Sequence, residues 1–96
     1  MIENHAVYIL ANKRNGVLYI GKSSDLPHRV SQHKSGLIEG FTKKYKIRML
    51  VYYEVYENHW DAAKREALLK KWKREWKMKL IEERNPDWND LYADLF

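Results

Sequence analysis

The 96-residue chain has no cysteine, two prolines, four glycines and no long apolar run. Without cysteine there is neither a disulfide framework nor a thiolate zinc site, a composition that suits a reducing interior. The start, Met1-Ile2-Glu3-Asn4-His5, lacks the apolar stretch and small-residue cleavage site of a secretory signal. No segment approaches the roughly 18 apolar residues of a membrane span, so a soluble, cytoplasmic protein with no membrane contact is expected. Nothing reads as a linker, repeat or low-complexity tract. The expectation is a single domain over 1–96, with a core at about 5–83 and a closing segment at 84–96. Also missing are a glycine-rich phosphate loop, a paired-carboxylate cluster, a nucleophile elbow and a His-Glu-x-x-His helix.

What is present in excess is positive charge. Eighteen lysines and arginines against thirteen acids give +5 and a pI near 9.4. That balance favours polyanions, because each phosphate neutralised releases condensed counterions. A positive surface also keeps a small protein soluble, so distribution matters more than the total. Basic residues concentrate at Lys43, Lys44, Lys46 and Arg48, and again at Lys70, Lys71, Lys73, Arg74, Lys77 and Lys79. From these, Lys43, Lys70, Lys73 and Lys77 are the candidate nucleic-acid contacts, the two clusters forming one face.

Segments 6–10 and 17–21 have the β-branched and aromatic content of strands, and Asn15-Gly16 between them signals a hairpin. A two-residue turn would set Tyr19 opposite Asn12, and a four-residue loop from Asn12 to Asn15 would set it opposite Tyr8. Either register keeps both tyrosines on one sheet face. Ser24-Asp25-Leu26-Pro27 reads as a helix start and Gly36 as its stop. On that helix Arg29 and His33 share a face, with Leu26 and Val30 as the packing stripe. Residues 49–56 read as a strand long enough to be central in a small sheet. Residues 60 to about 83 form the longest helical pattern, with Ala62, Leu69, Trp72, Trp76 and Leu80 on the buried side and Glu66 at its edge. Pro86 ends it, and Trp88, Leu91, Tyr92, Leu95 and Phe96 could fold back as a short closing helix.

The order of Tyr8 in the first strand, Tyr19-Ile20-Gly21 and Lys22 in the second, Arg29 and then Glu66 resembles the GIY-YIG nuclease superfamily over most of the chain. Each residue alone has a plainer reading: strand tyrosines pack, Lys22 and His33 sit on the surface, and Arg29 and Glu66 could form an ordinary ion pair. The ordered combination fixes residue type, order and element together. Ala6-Val7 stands where the first motif has glycine and isoleucine. The resemblance implies an α+β fold, a small mostly antiparallel sheet flanked by helices in the order β-β-α-β-α with a short C-terminal helix. It also implies phosphodiester hydrolysis using one Mg²⁺ or Mn²⁺ held by Glu66. Arg29 would hold the scissile phosphate, Lys22 would hold phosphate or lower a tyrosine's pKa, and Tyr8 or Tyr19 would be the general base. A base role needs a depressed pKa, since phenol titrates near 10. His33 could orient the water, relay a proton or bind phosphate. Some relatives carry an asparagine where Met78 stands, and the sequence leaves open whether Asn85 compensates. Catalytic candidates are therefore Tyr8, Tyr19, Arg29, His33 and Glu66, and substrate-binding candidates are Gly21, Lys22, Lys43, Lys70, Lys73 and Lys77.

The expected activity is a metal-dependent DNA endonuclease, structure-selective or weakly sequence-specific, with a partner protein, self-association or DNA shape supplying selectivity. The alternatives are a nucleic-acid-binding module with this fold and little catalysis, and a helical interaction protein that presents residues 60–83 to an acidic partner.

Overall fold

The computed structural model describes residues 4–96 as β1 (His5–Ala11), β2 (Leu18–Ser23), α1 (Leu26–Lys34), α2 (Phe41–Lys44), β3 (Met49–Tyr56), α3 (His59–Lys71), α4 (Arg74–Arg84) and a closing 3₁₀ turn (Leu91–Leu95). The strands form an antiparallel sheet in the order β2-β1-β3, which is the α+β architecture expected. The central strand, however, is β1 and not residues 49–56. Every side chain from Ala6 to Ala11 is buried, so β1 can be covered on both faces, whereas β3 carries Glu54 and the exposed Val55 and suits an edge.

Two layers cover the sheet. On one face Val7, Ile9, Ala11, Ile20, Val51 and Tyr52 pack beneath Ala62 and Leu69 of α3 and Ile81 of α4. On the other, Ala6, Tyr8, Leu10 and Leu50 meet Leu26 and Val30 of α1, Ile47, and Leu91, Tyr92 and Leu95 of the closing turn. Each buried aliphatic side chain contributes roughly 1.5–3 kcal/mol against exposure. The β1–β3 register shifts by one between Ile9 and Leu10, a bulge that puts both Val51 and Tyr52 on the α3 side.

The hairpin takes neither anticipated register: Tyr8 faces Gly21, and Tyr19 faces Leu10. The cause is Asn12, whose Oδ1 accepts from the Val17 amide at 2.8 Å and closes a longer loop, with Asn15 at φ 58°. The parity is unchanged, and the two tyrosines share a face as expected. In α1, Asp25 caps the amide of His28 and Pro27 occupies the first turn. Gly36, at φ 70°, ends it with the Leu37 amide on Gln32 oxygen and its own amide on His33 oxygen, the paired bonds of a Schellman motif.

The long helix expected over 60–83 is two helices. Trp72 and Lys73 are extended, with ψ 148° at each. The break lets α3 lie along β1 and β2 while α4 turns to β3. Neither glycine nor proline marks it. Ala62, Leu69 and Ile81 are consequently the buried positions, Trp72 and Leu80 are half-buried, and Trp76 is half exposed. The closing segment folds back as a 3₁₀ turn, tied down by Asn85, whose Nδ2 donates to the carbonyls of Val51 (3.0 Å) and Asn89 (2.9 Å). Trp88 turns instead to the α3 face, and Phe96 is exposed. Among the described residues no helix is long and apolar enough to cross a membrane.

Candidate active site

Antiparallel pairing sets Gly21 directly opposite Tyr8, and the Tyr8 ring lies across it. A methyl group at Gly21 would stand 2.5 Å from Cζ and Oη of Tyr8 and 3.0 Å from Cε2 of Tyr19. The glycine of the second motif is therefore a space requirement. Tyr8 is 1% exposed, and its hydroxyl meets His33 Nε2 at 3.2 Å. Tyr19, half-buried, closes the group, its ring centroid 6.3 Å from that of Tyr8 and 5.5 Å from that of His33.

His33 is itself buried, and its Nδ1 lies 2.9 Å from Thr42 Oγ1 in α2. Burial, aided by the Arg29 charge, lowers its pKa from 6.5 and keeps the ring neutral near pH 7. With the proton on Nδ1 and directed at Thr42, Nε2 is free to accept from Tyr8, giving a Tyr8–His33–Thr42 chain. Thr42 went unrecognised in the sequence. Lone threonines in basic loops carry no periodic signal, and only the distance from position 33 to position 42 in space reveals its part.

Burial, and then the neighbouring Tyr19, push the Tyr8 hydroxyl up to about 12, and Glu66 adds to the rise. A hydrogen bond and positive charge from Arg29 oppose it. This is opposite to the depression a Tyr8 base requires. Arg29 and Glu66 are therefore both near enough for their charges to be felt at the Tyr8 hydroxyl. Arg29 also donates from Nη1 to Gln32 Oε1 at 3.5 Å. Glu66, on the inner edge of α3, has a side chain 21% exposed and meets Lys70 Nζ at 3.5 Å.

Among the described residues no three His, Cys, Asp or Glu side chains converge as a metal cage. A single carboxylate reachable by solvent fits a hard, octahedral ion that keeps most of its waters, and does not fit a zinc or calcium site. Glu66, with its side chain 21% exposed, is a carboxylate of that kind.

The remaining sequence candidates disperse. Lys22 pairs with Val7 and alternates to the face that α3 covers, away from the two tyrosine rings. Lys43 lies on α2, paired with Glu39 at 2.8 Å. Lys70 is on α3, but the break at 72–73 carries Lys73 and Lys77 onto the start of α4. There Lys73 stands at the N-cap position without a side-chain capping bond, and Lys77 lines a cleft with Lys13 and Arg74 beside the β1–β2 loop. The stripe that a continuous helix would have made of Lys70, Lys73 and Lys77 does not exist. Asn85 does not substitute at the site, because its amide is consumed by backbone groups of the closing segment.

A second cluster escaped the sequence reading. Glu54 accepts from Arg65 Nε and Nη2, both at 2.9 Å, from Tyr56 at 2.6 Å and from Tyr52. Burial works against the Glu54 charge, yet these hydrogen bonds outweigh it and hold the carboxyl below 4.5. The clamp fixes α3 to β3 at the residue preceding Glu66.

The chain is similar to known proteins in sequence and in fold. The family model of the GIY-YIG catalytic domain matches residues 4–79, a span that takes in all five catalytic candidates. UPF0213 proteins of Staphylococcus aureus strains Mu3 and N315 are each 39% identical over 83 residues, covering 86% of this chain and 100% of theirs. The solution NMR structure of a UPF0213 protein from Bacillus halodurans is similar with a TM-score of 0.57 and 26% identity, over 91% of this chain and 92% of that one.

Proposed function

This chain belongs to the GIY-YIG catalytic-domain family, and from that premise we propose that it is a divalent-metal-dependent endonuclease that hydrolyses phosphodiester bonds in DNA, structure-selective or weakly specific for sequence. What supports this reading is the grouping of Tyr8, Tyr19 and His33 from β1, β2 and α1, with the charges of Arg29 on α1 and Glu66 on α3 felt at the Tyr8 hydroxyl.

Hydrolysis forms a bond from water oxygen to phosphorus and breaks the bond to the leaving oxygen. Arg29 offers a planar fork of donors to the non-bridging oxygens, where negative charge grows in the transition state. Tyr19 borders the same space and can hold the phosphate or the attacking water. Tyr8 need not become a free tyrosinate. Once substrate binding admits water past Tyr19 to the Tyr8 oxygen, that oxygen takes a proton from the water while its own proton passes along the existing hydrogen bond to neutral His33 Nε2, whose orientation Thr42 holds. Glu66 would hold the divalent ion, which when bound supplies positive charge to the phosphorane and its leaving oxygen. The Lys70 contact keeps the carboxylate oriented until then.

A second reading, a nucleic-acid-binding module with little catalysis, draws support from the pKa of Tyr8, pushed up to about 12. Incubating the protein with duplex, single-stranded, flapped, branched and RNA substrates, in Mg²⁺, Mn²⁺ or EDTA, separates the two. Metal-dependent cleavage of at least one DNA substrate is expected. Binding without cleavage under every metal condition would leave the module.

A further inference from the structure

The short helix α2 is built inside out. Its threonine is buried at 4% exposure, while Phe41 and Tyr45, one turn apart, are 47% and 42% exposed with ring centroids 4.8 Å apart. A surface helix ordinarily turns its aromatic residues inward and its hydroxyls outward. The hydrogen bond to His33 accounts for the buried Thr42, but neither ring belongs to the two core clusters. The charge carried by the same segment is mainly positive. Lys43, Lys44, Lys46 and Arg48 are all exposed, and the one acid beside them, Glu39, pairs with Lys43. Lys44 Nζ lies over the Tyr45 ring at 5.3 Å. The helix is entered through Gly40 at φ 108°, a conformation reserved for glycine, and left through Lys46 at φ 55°, so its direction is set by the backbone.

We propose that Phe41 and Tyr45 form a stacking platform for an unpaired base of a single-stranded stretch of substrate, with the adjoining phosphates on the lysines of the same segment. Thr42 sits between the two rings in sequence and reaches Tyr8 through His33, so the helix that carries the rings is tied to the candidate site. The ligand must offer both flat faces and dense negative charge. A single strand does so; a duplex keeps its base faces stacked on one another, and an acidic peptide has charge without the faces. The inference rests on the reading that the chain acts on nucleic acid, and gives that reading a substrate preference.

The test is equilibrium binding in EDTA, where nothing is cut. The probes are a thymidine oligonucleotide of about 12 residues, an abasic oligonucleotide of the same length and a matching duplex. The unaltered protein should bind the thymidine strand roughly 5- to 100-fold more tightly than the abasic strand, the ratio expected from stacking on aromatic rings. Phe41→Ala with Tyr45→Ala should lower thymidine binding to the abasic level and leave abasic binding unchanged, with an unaltered thermal midpoint confirming the fold. Lys43→Glu with Lys44→Glu should weaken both strands alike. Equal binding of the two strands by the parent, or a preference that survives loss of both rings, would overturn the platform. So would a parent dimer that the double alanine variant dissociates, because the rings would then face a second copy of the chain. A base preference in a protein that never cuts removes the nuclease reading and keeps the platform. Cleavage without base preference does the reverse.

Discussion

Gly21→Ala isolates the packing on which the candidate site depends. The new methyl group would approach Tyr8 Cζ and Oη to 2.5 Å, where ordinary contact begins at 3.4 Å, so the ring must retreat by about 1 Å. Neither backbone can yield freely, since β2 and β1 are hydrogen-bonded there with Gly21 opposite Tyr8. Forcing a methyl group into a filled site costs about 1–3 kcal/mol, which in a domain of this size lowers the thermal midpoint by roughly 5–20 °C. The hydroxyl contact to His33 is already 3.2 Å long and would not survive the retreat. Misplacing a reacting group by about 1 Å costs on the order of 10²-fold in rate. The assay combines thermal denaturation with single-turnover cleavage, repeated in a Tyr8→Leu background read for stability alone. Leucine removes the ring, so Gly21→Ala should then cost less, with a coupling of about 0.5–3 kcal/mol. A Gly21→Ala protein that melts and cuts like the parent, or one equally destabilised in both backgrounds, would refute the account of that glycine.

Tyr8→Phe should keep the fold at a cost of about 1 kcal/mol, by leaving His33 Nε2 without its partner, and should lower cleavage roughly 10²-fold or more. Tyr19→Phe should lower cleavage comparably, and parental rates in both would make the tyrosines packing residues. Glu54 has a depressed carboxyl pKa, so the stability it brings is complete above pH 4.5 and is lost as pH falls through its folded-state value. Denaturation across pH 3 to 7 should therefore find Glu54→Gln less stable near neutrality and flatter in acid, and a uniform loss at every pH would contradict the clamp. DNA affinity should fall log-linearly with salt. Salt-independent binding would remove the phosphate account.

Sequence periodicity captured what local chemistry determines. The alternation of Tyr8 with Val7 and Ile9, the Asp25 cap and the Gly36 stop are each written within a few residues, and all three appear in the structure. The sharing of a sheet face by Tyr8 and Tyr19 survived a mistaken register because facing depends on parity alone. The helix break at Trp72-Lys73 was illegible for the opposite reason. Tertiary packing of α4 on β3 imposes it, and helical spacing reads straight through it. Thr42 and the Glu54–Arg65 clamp were equally hidden, since each pairs residues that meet only after folding. The candidate site was legible as an ordered set of residues, and its electrostatics were not: the rise in the Tyr8 pKa depends on how completely the ring is covered.

The most direct measurement is the single-turnover rate of DNA cleavage in Mg²⁺ for the parent and Glu66→Gln, on a substrate that both bind equally in EDTA. Glutamine keeps the size and hydrogen bonding of the side chain but not the charge that a hard cation requires. The account predicts a loss of roughly 100-fold or more, with DNA binding in EDTA unchanged or slightly tighter. Cleavage by Glu66→Gln at the parental rate would contradict it.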